Sequence, residues 1–183
     1  MRRLLAALTL AIATLAAPLS APSAALAAPE AAPVTAPLEA PSNAYLDQLL
    51  NEINARRAKL GTQPLIYAGP DANFAVTHYL ADLTPLMQQR HLCFHGANNP
   101  VAPGWDYVKA SGFDARIGGE VLGCPGDGWY WTPQQIADGW WNSASHFRSL
   151  YADPKANAVA CGAYAVGNGG KGYQTVACVT FQV

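Results

Sequence analysis

The chain has 183 residues, of which 51% are hydrophobic, and its 11 Lys and Arg residues face 12 Asp and Glu residues, giving a formal net charge of −1. Because these charges nearly cancel and form no basic run, nucleic acid and anionic membrane surfaces are excluded as main partners, since both bind clustered Lys and Arg. Apart from the N-terminal stretch, no segment is long and apolar enough to span a bilayer, so we predict no transmembrane segment in the exported chain.

Residues 1–27 are predicted to form a cleaved secretory signal. Two arginines precede a long apolar stretch, and residues 25–27 have the small-x-small pattern of a cleavage site. Residues 28–41 are mainly Ala and Pro, a composition that predicts a disordered leader. We therefore expect a secreted, extracellular protein (periplasmic in a Gram-negative cell) in which residues 42–183 form one domain.

Four helices are predicted in this domain, because apolar residues recur at helical spacing between capping residues and glycine stops. Ser42 is the predicted cap of the first helix, and Gly61 is its predicted end. Thr132 opens the fourth helix with a Thr-Pro-Gln-Gln capping box that has Pro at the first helical position. The predicted ranges are 42–60, 70–83, 103–111 and a helix that starts at Thr132.

Three strands are predicted in the second half of the chain. Residues 117–122 form a short strand, and residues 158–166 and 173–183 form a hairpin around a Gly-rich turn. Both faces of this hairpin are apolar, so the sheet needs cover on both sides. The predicted fold is α/β, a three-layer α/β/α sandwich with a C-terminal β-hairpin.

Four cysteines lie in the exported domain, and four cysteines allow three pairings. If residues 169–170 form a two-residue turn, Cys161 faces Cys178 at a Cα separation of about 4.5–5.5 Å, which is within disulfide reach. Cys93–Cys124 is then the second bridge. The alternative pairing Cys93–Cys178 stays open at this point.

Three polar residues are the main candidates for chemistry: His95, Glu120 and His146. A Cys93–Cys124 bridge would bring His95 and Glu120 into one neighbourhood, because it joins positions close to both. Two imidazoles and a carboxylate suit a divalent metal such as zinc, with an open position for water. The same groups also suit general acid/base catalysis.

The sequence resembles the CAP superfamily (cysteine-rich secretory proteins, antigen 5 and pathogenesis-related 1 proteins), and within it the bacterial secreted CAP/SCP-domain proteins. The resemblance covers nearly all of residues 42–183, and its specificity comes from the order and spacing of the blocks. It implies an α/β/α sandwich and a central cavity lined by two His and two acidic residues, where a divalent metal can bind. The matching blocks are residues 50–57, 94–95, 112–113, 119–120, 140–148 and the strand around Gly162.

By that resemblance His95, Glu120 and His146 are three of the four cavity residues. The fourth, a Glu in eukaryotic members, falls at or near Ser143, and bacterial relatives commonly lack it too. Two further departures from the family pattern are Val121 and Val176. The cavity is therefore only partly kept.

These observations favour a monomeric extracellular ligand-binding module that binds a divalent metal and a small apolar or lipid ligand. The alternative is a metal-assisted extracellular hydrolase acting on peptide or cell-wall material, with Glu120 as the catalytic base. The missing acidic residue and the lack of a recognisable nucleophile disfavour this enzyme. A third possibility is a purely structural or partner-binding role, in which the three polar residues are vestigial.

His91 and His78 are weaker candidates. His91 lies four residues before His95, so the two would align as metal ligands on a helix, but the Gly- and Asn-containing segment that follows favours a loop. His78 lies inside the second predicted helix, where we expect a packed or half-exposed ring.

Two other features have competing interpretations. Ser143 and Ser145 lie beside His146, but a Ser-His nucleophile is disfavoured because the chain has no Gly-x-Ser-x-Gly motif. Residues 129–131, Trp-Tyr-Trp, form either an exposed aromatic lip for a ligand or a loop whose rings pack on the core.

Overall fold

A computed structural model of the protein describes residues 43–97, 100–127, 130–168 and 171–183. The predicted signal, the predicted leader, the Ser42 cap, Trp129 and the two turn residues 169–170 lie outside the described residues. In the part that is described, no helix is long and apolar enough to cross a membrane.

The described residues form five α-helices, one π-helical segment and four β-strands. The last two strands of the chain pair with each other as the predicted C-terminal hairpin. In chain order the elements are α1 (Asn43–Lys59), β1 (Ile66–Tyr67), α2 (Pro70–Arg90), α3 (Gly104–Ala110), β2 (Arg116–Asp127), α4 (Pro133–Trp141), α5 (Ala144–His146), the π-helical segment (Phe147–Tyr151), β3 (Ala158–Asn168) and β4 (Lys171–Gln182).

The four strands form one mixed sheet in the order β1-β3-β4-β2. β3 and β4 pair antiparallel with Cys161 opposite Cys178, which confirms the predicted register. β2 adds antiparallel to the other side of β4, while the two-residue β1 pairs parallel with β3. β1 and β2 are therefore the opposite edges of the sheet.

The sheet is covered on both faces, as the apolar hairpin predicts. On one face, α1, α4 and the π-helical segment pack on alternate strand residues such as Val159 and Val176. On the other face, α2 and α3 pack on the intervening residues, among them Ala160 and Val179. The predicted three-layer α/β/α sandwich is confirmed, with one apolar core in each interlayer space.

Both predicted disulfides are confirmed. Cys93–Cys124 has a Cα–Cα distance of 5.9 Å, and Cys161–Cys178 has one of 4.1 Å. No described cysteine is free, so the alternative Cys93–Cys178 pairing is wrong.

Helix α2 is longer than predicted. Its predicted end is Leu83. Pro85 follows two residues later, and a proline inside a helix removes a backbone donor and clashes with the preceding turn. The helix nevertheless continues through Pro85 to Arg90. Buried Leu83 and Met87 lie on either side of the proline in the same apolar core, so packing outweighs the local cost of Pro85.

Three further differences concern short or irregular elements. Strand β2 runs from Arg116 to Asp127, beyond the predicted 117–122, with register shifts at both ends of its central part. β1 and the α5–π segment were not predicted, because two to five residues contain too little periodicity to identify an element.

Candidate functional site

Glu120 lies on edge strand β2, and its side chain is only 1% exposed. A register shift at Ile117/Gly119 comes just before it. Gly119 lies against the π-helical segment, because a Cβ there would be 3.1 Å from the Cβ of Ser149. The strand thus approaches the segment closely and places a carboxylate inside the protein, where it needs hydrogen-bond donors.

Three donors meet this carboxylate. The Tyr79 hydroxyl donates to Oε1 at 2.8 Å, and the backbone N–H of Gly104 donates to Oε2 at 2.8 Å. Nδ1 of His95 lies 2.6 Å from Oε1. Because both carboxylate oxygens accept hydrogen bonds, the orientation of Glu120 is fixed from three directions.

Tyr79 ties the site to helix α2. Its side chain is fully buried, and its hydroxyl also accepts the backbone N–H of Gly96 at 3.0 Å. Burial, followed by the negative charge of Glu120, raises the pKa of Tyr79, so the phenol keeps its proton and stays a donor. The tyrosine therefore joins the buried carboxylate to the loop that carries His95.

Two glycines are required by close packing at this point. A Cβ at Gly104 would lie 2.7 Å from Oε2 of Glu120, and a Cβ at Gly96 would lie 2.3 Å from the carbonyl oxygen of Ala102. Both distances are too short for a side chain. The backbone N–H of Gly104 can reach the carboxylate because that residue has no side chain.

His95 is the accessible member of the pair, with 47% of its side chain exposed. It lies between α2 and α3, two residues after the Cys93–Cys124 bridge that fastens this loop to β2. With a carboxylate as its partner, Nδ1 carries the proton, and Nε2 is the ring nitrogen that can receive a ligand or a proton.

His146 comes from the opposite side, on short helix α5. Its ring lies edge-on to Trp140 at 6.5 Å between centroids, and its Nδ1 is buried without a hydrogen-bond partner among the described residues. Burial lowers the pKa of His146, and the positive charge of a protonated His95 lowers it further. The His146 ring is therefore neutral near pH 7 and near enough to His95 to respond to its charge.

The segment after His146 is held by a buried cation from helix α1. The Arg57 guanidinium donates to the carbonyl oxygens of Leu150 at 2.6 Å and Ala156 at 2.8 Å. It also donates to the Gln63 and Asp153 carbonyls at 2.7 Å and 3.2 Å. Leu150 lies in the π-helical segment, Asp153 and Ala156 lie in the irregular turn after it, and Gln63 lies in the loop after α1. Arg57 thus supplies donors to carbonyls that regular secondary structure would otherwise satisfy.

The structure thus brings His95 and Glu120 into direct contact and places His146 within electrostatic range of His95. The described residues contain no group of three or more His, Cys, Asp or Glu side chains that could hold a metal. The donor set agrees with this, because Glu120 is already engaged by Tyr79, Gly104 and His95. In this arrangement Glu120 does not fit the role of third metal ligand beside His95 and His146.

The weaker histidine candidates do not join this cluster in the predicted way. His91 is the left-handed C-cap of α2, with φ of 49°, so the chain leaves the helix before His95 and the two do not align on one helix. His78 is exposed and packs against the ring of Phe74 at 4.3 Å, as expected for a residue on the outer face of α2.

The serine and aromatic candidates also have structural roles. The hydroxyls of Ser143 and Ser145 contact each other at 3.3 Å, while Nδ1 of His146 is unpartnered. Trp131 packs on the α1–α4 side of the core, and its backbone carbonyl accepts the Tyr45 hydroxyl, which favours a packed loop over an exposed lip. Val121 and Val176, the departures from the family pattern, are fully buried core residues.

Tyr79, Gly104 and Arg57 were not identified from the sequence. Tyr79 lies at a core position of an amphipathic helix, where an apolar role is the ordinary expectation. A Tyr or Arg at such a position is nevertheless a usable signal, since a buried hydroxyl or guanidinium requires polar partners.

Comparisons with known proteins agree with this architecture. The family model of the Cysteine-rich secretory protein family (CAP) matches residues 50–181. An outer surface protein from Borrelia burgdorferi is similar in structure, with a TM-score of 0.53 and 13% identity over 82% of this chain and 100% of that one. None of the curated protein sequences compared with the chain matches it.

A second solved structure is an extracellular protein containing an SCP domain from Bacillus anthracis str. Ames. It has a TM-score of 0.57 and 14% identity, over 77% of this chain and 41% of that one. This chain therefore spans less than half the length of that protein. At such identities the two structures establish likeness of fold alone.

Proposed function

This chain belongs to the cysteine-rich secretory protein (CAP) family, and on that basis we propose that it is an exported ligand-binding domain whose site is built on His95, Glu120 and His146. The N-terminal signal pattern and the two disulfides support export, because disulfides persist in oxidising compartments. The two proteins of similar structure, an outer surface protein and an extracellular protein, point the same way.

The observation that carries the proposal is the contact between a buried carboxylate and a half-exposed imidazole. Nδ1 of His95 is 2.6 Å from Oε1 of Glu120, and the exposed fraction is 47% for the histidine and 1% for the glutamate. A carboxylate behind one ring nitrogen fixes the tautomer and orients the other nitrogen towards a ligand. The pair is therefore suited to presenting Nε2 of His95.

The divalent metal site that we propose uses the two histidines as ligands and Glu120 as the support of His95. The imidazoles of His95 and His146 would hold an ion such as zinc, while Glu120 would orient His95 from behind. The lowered pKa of His146 keeps that ring in the neutral form which metals require. When bound, such an ion would supply Lewis acidity at the site.

A calorimetric zinc titration tests this form of the site. We expect the wild type to bind one zinc ion near pH 7, and His95→Ala and His146→Ala to abolish binding. Glu120→Gln should weaken binding by about 10–100-fold without abolishing it, as for other groups that orient a ligand. His78→Ala is the matched control and should bind like the wild type. Absence of binding by the wild type, or equal binding by the site variants, would contradict the proposal.

The organic ligand proposed for the module is a small apolar or lipid molecule, and we expect the protein to bind it as a monomer. Aromatic side chains near the site support this choice. Trp140 lies edge-on to His146, and Phe94, the residue before His95, packs against the core beneath α2. Sedimentation of the protein with and without a fluorescent fatty acid would measure both properties. Dimerisation or a lack of co-sedimenting ligand would contradict them.

The second candidate function is an extracellular hydrolase, and the geometry favours a different catalytic base from the predicted one. Glu120 was the predicted catalytic base, but both of its oxygens already accept hydrogen bonds. A proton would instead be taken by Nε2 of His95, with Glu120 stabilising the imidazolium that forms. Turnover of peptide or cell-wall substrates that is lost in both His95→Ala and Glu120→Gln would support this enzyme.

A further inference from the structure

The Tyr79 hydroxyl holds two groups that together fix His95. It donates its hydrogen to Oε1 of Glu120 at 2.8 Å and accepts the backbone N–H of Gly96 at 3.0 Å. Nδ1 of His95 lies 2.6 Å from the same Oε1. Because a hydroxyl has one donor and two acceptor positions, a single phenol can hold the carboxylate and the backbone N–H at once.

These contacts form a closed ring of hydrogen bonds and covalent bonds. From the Tyr79 hydroxyl the ring passes through Oε1 of Glu120 to the imidazole of His95. It returns along the peptide bond to Gly96, whose N–H reaches the same hydroxyl. A side chain that is held at its imidazole and at its backbone has little rotational freedom left, so a ligand that binds it pays less conformational entropy.

The position of the phenol is itself fixed by close packing on both sides. Tyr79 lies in helix α2 and is fully buried. A Cβ at Gly96 would lie 3.0 Å from Cε2 of its ring, and a Cβ at Gly104 would lie 3.0 Å from Cδ1. The two glycines therefore let the backbone contact opposite edges of the ring, which leaves the hydroxyl little room to move away from Glu120.

Tyr45 has the same pattern of contacts in a purely structural setting. Its hydroxyl donates to the carbonyl oxygen of Trp131 at 2.8 Å and accepts Nε2 of Gln174 at 3.4 Å, and its ring packs on the other face of the sheet. Those partners lie in the core and in the loop before α4. The partners of Tyr79 differ, because Glu120 contacts the half-exposed His95 and Gly96 is its neighbour in the chain.

We propose that Tyr79 is a positioning residue for His95, whose imidazole it orders before a metal binds, and that it thereby raises the metal affinity of the site. Tyr79 acts through Glu120 and through Gly96 rather than as a ligand. The effect on affinity rests on the metal binding proposed above, whereas the ordering of His95 is a property of the metal-free protein.

Tyr79→Phe tests both parts, since it removes the hydroxyl and keeps the ring that packs between the two glycines. In a calorimetric zinc titration we expect this variant to bind at least about fivefold more weakly than the wild type. In the metal-free protein, the Nδ1–H proton of His95, followed by NMR, should exchange with water at least about fivefold faster than in the wild type. A smaller change in either quantity would overturn the proposal.

Tyr45→Phe is the matched control, because it removes a hydroxyl with the same pattern of contacts on the other face of the sheet. It should leave the zinc affinity and the exchange of the His95 proton unchanged. Equal effects in the two variants would assign them to a general loss of stability and overturn the positioning role. If the wild type itself binds no zinc, the metal proposal fails, and proton exchange in the metal-free protein still decides the role of Tyr79.

Discussion

At the residue scale, Glu120 is a charged group at a position where charge is costly, and its neighbours explain how the protein keeps it there. Transfer of an ionised carboxylate to the interior is unfavourable unless donors replace its water. Tyr79, Gly104 and His95 are those donors. Because they come from a helix, a helix start and a loop, the carboxylate also fixes the relative positions of these elements.

Tyr79→Phe tests whether the phenol supports Glu120. The substitution removes one donor to a buried charge, so we expect the free energy of unfolding to fall by about 1.5–3 kcal/mol. Tyr107→Phe is the matched control, because Tyr107 donates to the exposed Asp82 at 2.6 Å and its loss should cost less than about 1 kcal/mol. Urea denaturation of both variants measures the difference. Equal losses of unfolding free energy in the two variants would mean that the Tyr79–Glu120 hydrogen bond stabilises the fold no more than an exposed one.

His146 gives a pH dependence whose sign follows from its lowered pKa. The unfolded chain takes up this proton near the ordinary pKa of 6.5, and the folded protein does so only at lower pH. The stability that comes from keeping the ring neutral is therefore complete above pH 6.5 and is lost as the pH falls through the folded pKa. In His146→Phe, the decrease in the free energy of unfolding between pH 7.5 and about pH 5 should be smaller than in the wild type. A decrease of equal or greater size would contradict a half-buried ring that is kept neutral.

At the scale of elements, the position of His146 depends on a segment that no periodic pattern identifies. The π-helical segment and the turn after it have irregular backbone, and π-helical turns are uncommon and often found at functional sites. From inside the protein, Arg57 donates to the carbonyl of Leu150 in the segment and to that of Ala156 in the turn. The helix α1 that carries this arginine therefore contributes to the site without touching it.

Arg57→Met should destabilise the protein by at least about 3 kcal/mol, because it leaves several buried carbonyls without donors. Arg148→Met is the control, since Arg148 is exposed and lies in the π-helical segment, and its loss should change the free energy of unfolding by less than about 0.5 kcal/mol. Thermal and urea denaturation of the two variants would compare them. A small effect of Arg57→Met would mean that the turn does not need the guanidinium.

The elements that could be predicted are those fixed by local chemistry. The Thr132 capping box, the apolar faces of the hairpin and the Cys161–Cys178 register each depend on short sequence patterns, and each is present. Continuation of α2 through Pro85 and the pairing of β1 depend on contacts with distant residues, so local patterns did not reveal them. Tyr79 likewise reaches Glu120 only through the tertiary fold. The sequence therefore indicated His95 and Glu120 as site residues but not Tyr79.

At the scale of the whole molecule, the two disulfides differ in environment. Cys161–Cys178 lies in the middle of the sheet with both residues buried, whereas Cys93 is exposed at the loop that carries His95. Each bridge is expected to contribute about 3–4 kcal/mol by constraining the unfolded chain. Only the Cys93–Cys124 bridge also holds the candidate site.

Mild reduction should therefore open Cys93–Cys124 before Cys161–Cys178, because a thiolate must reach a sulfur to attack it. Alkylation followed by peptide mass spectrometry would identify the bridge that opens first. The partly reduced protein should keep its fold and lose the wild-type affinity for zinc, since the His95 loop is no longer fastened to β2. First reduction of the buried bridge would contradict this order.

The most direct measurement of the site is a zinc titration followed through the imidazole ¹⁵N resonances of the four histidines. We expect His95 and His146 to respond together with one saturation curve, with the change at His95 on Nε2 and the proton on Nδ1 retained beside Glu120. His78 should not respond. A response confined to His78 or His91, or none at His95 and His146, would contradict the proposal that Glu120 orients His95 for ligand binding.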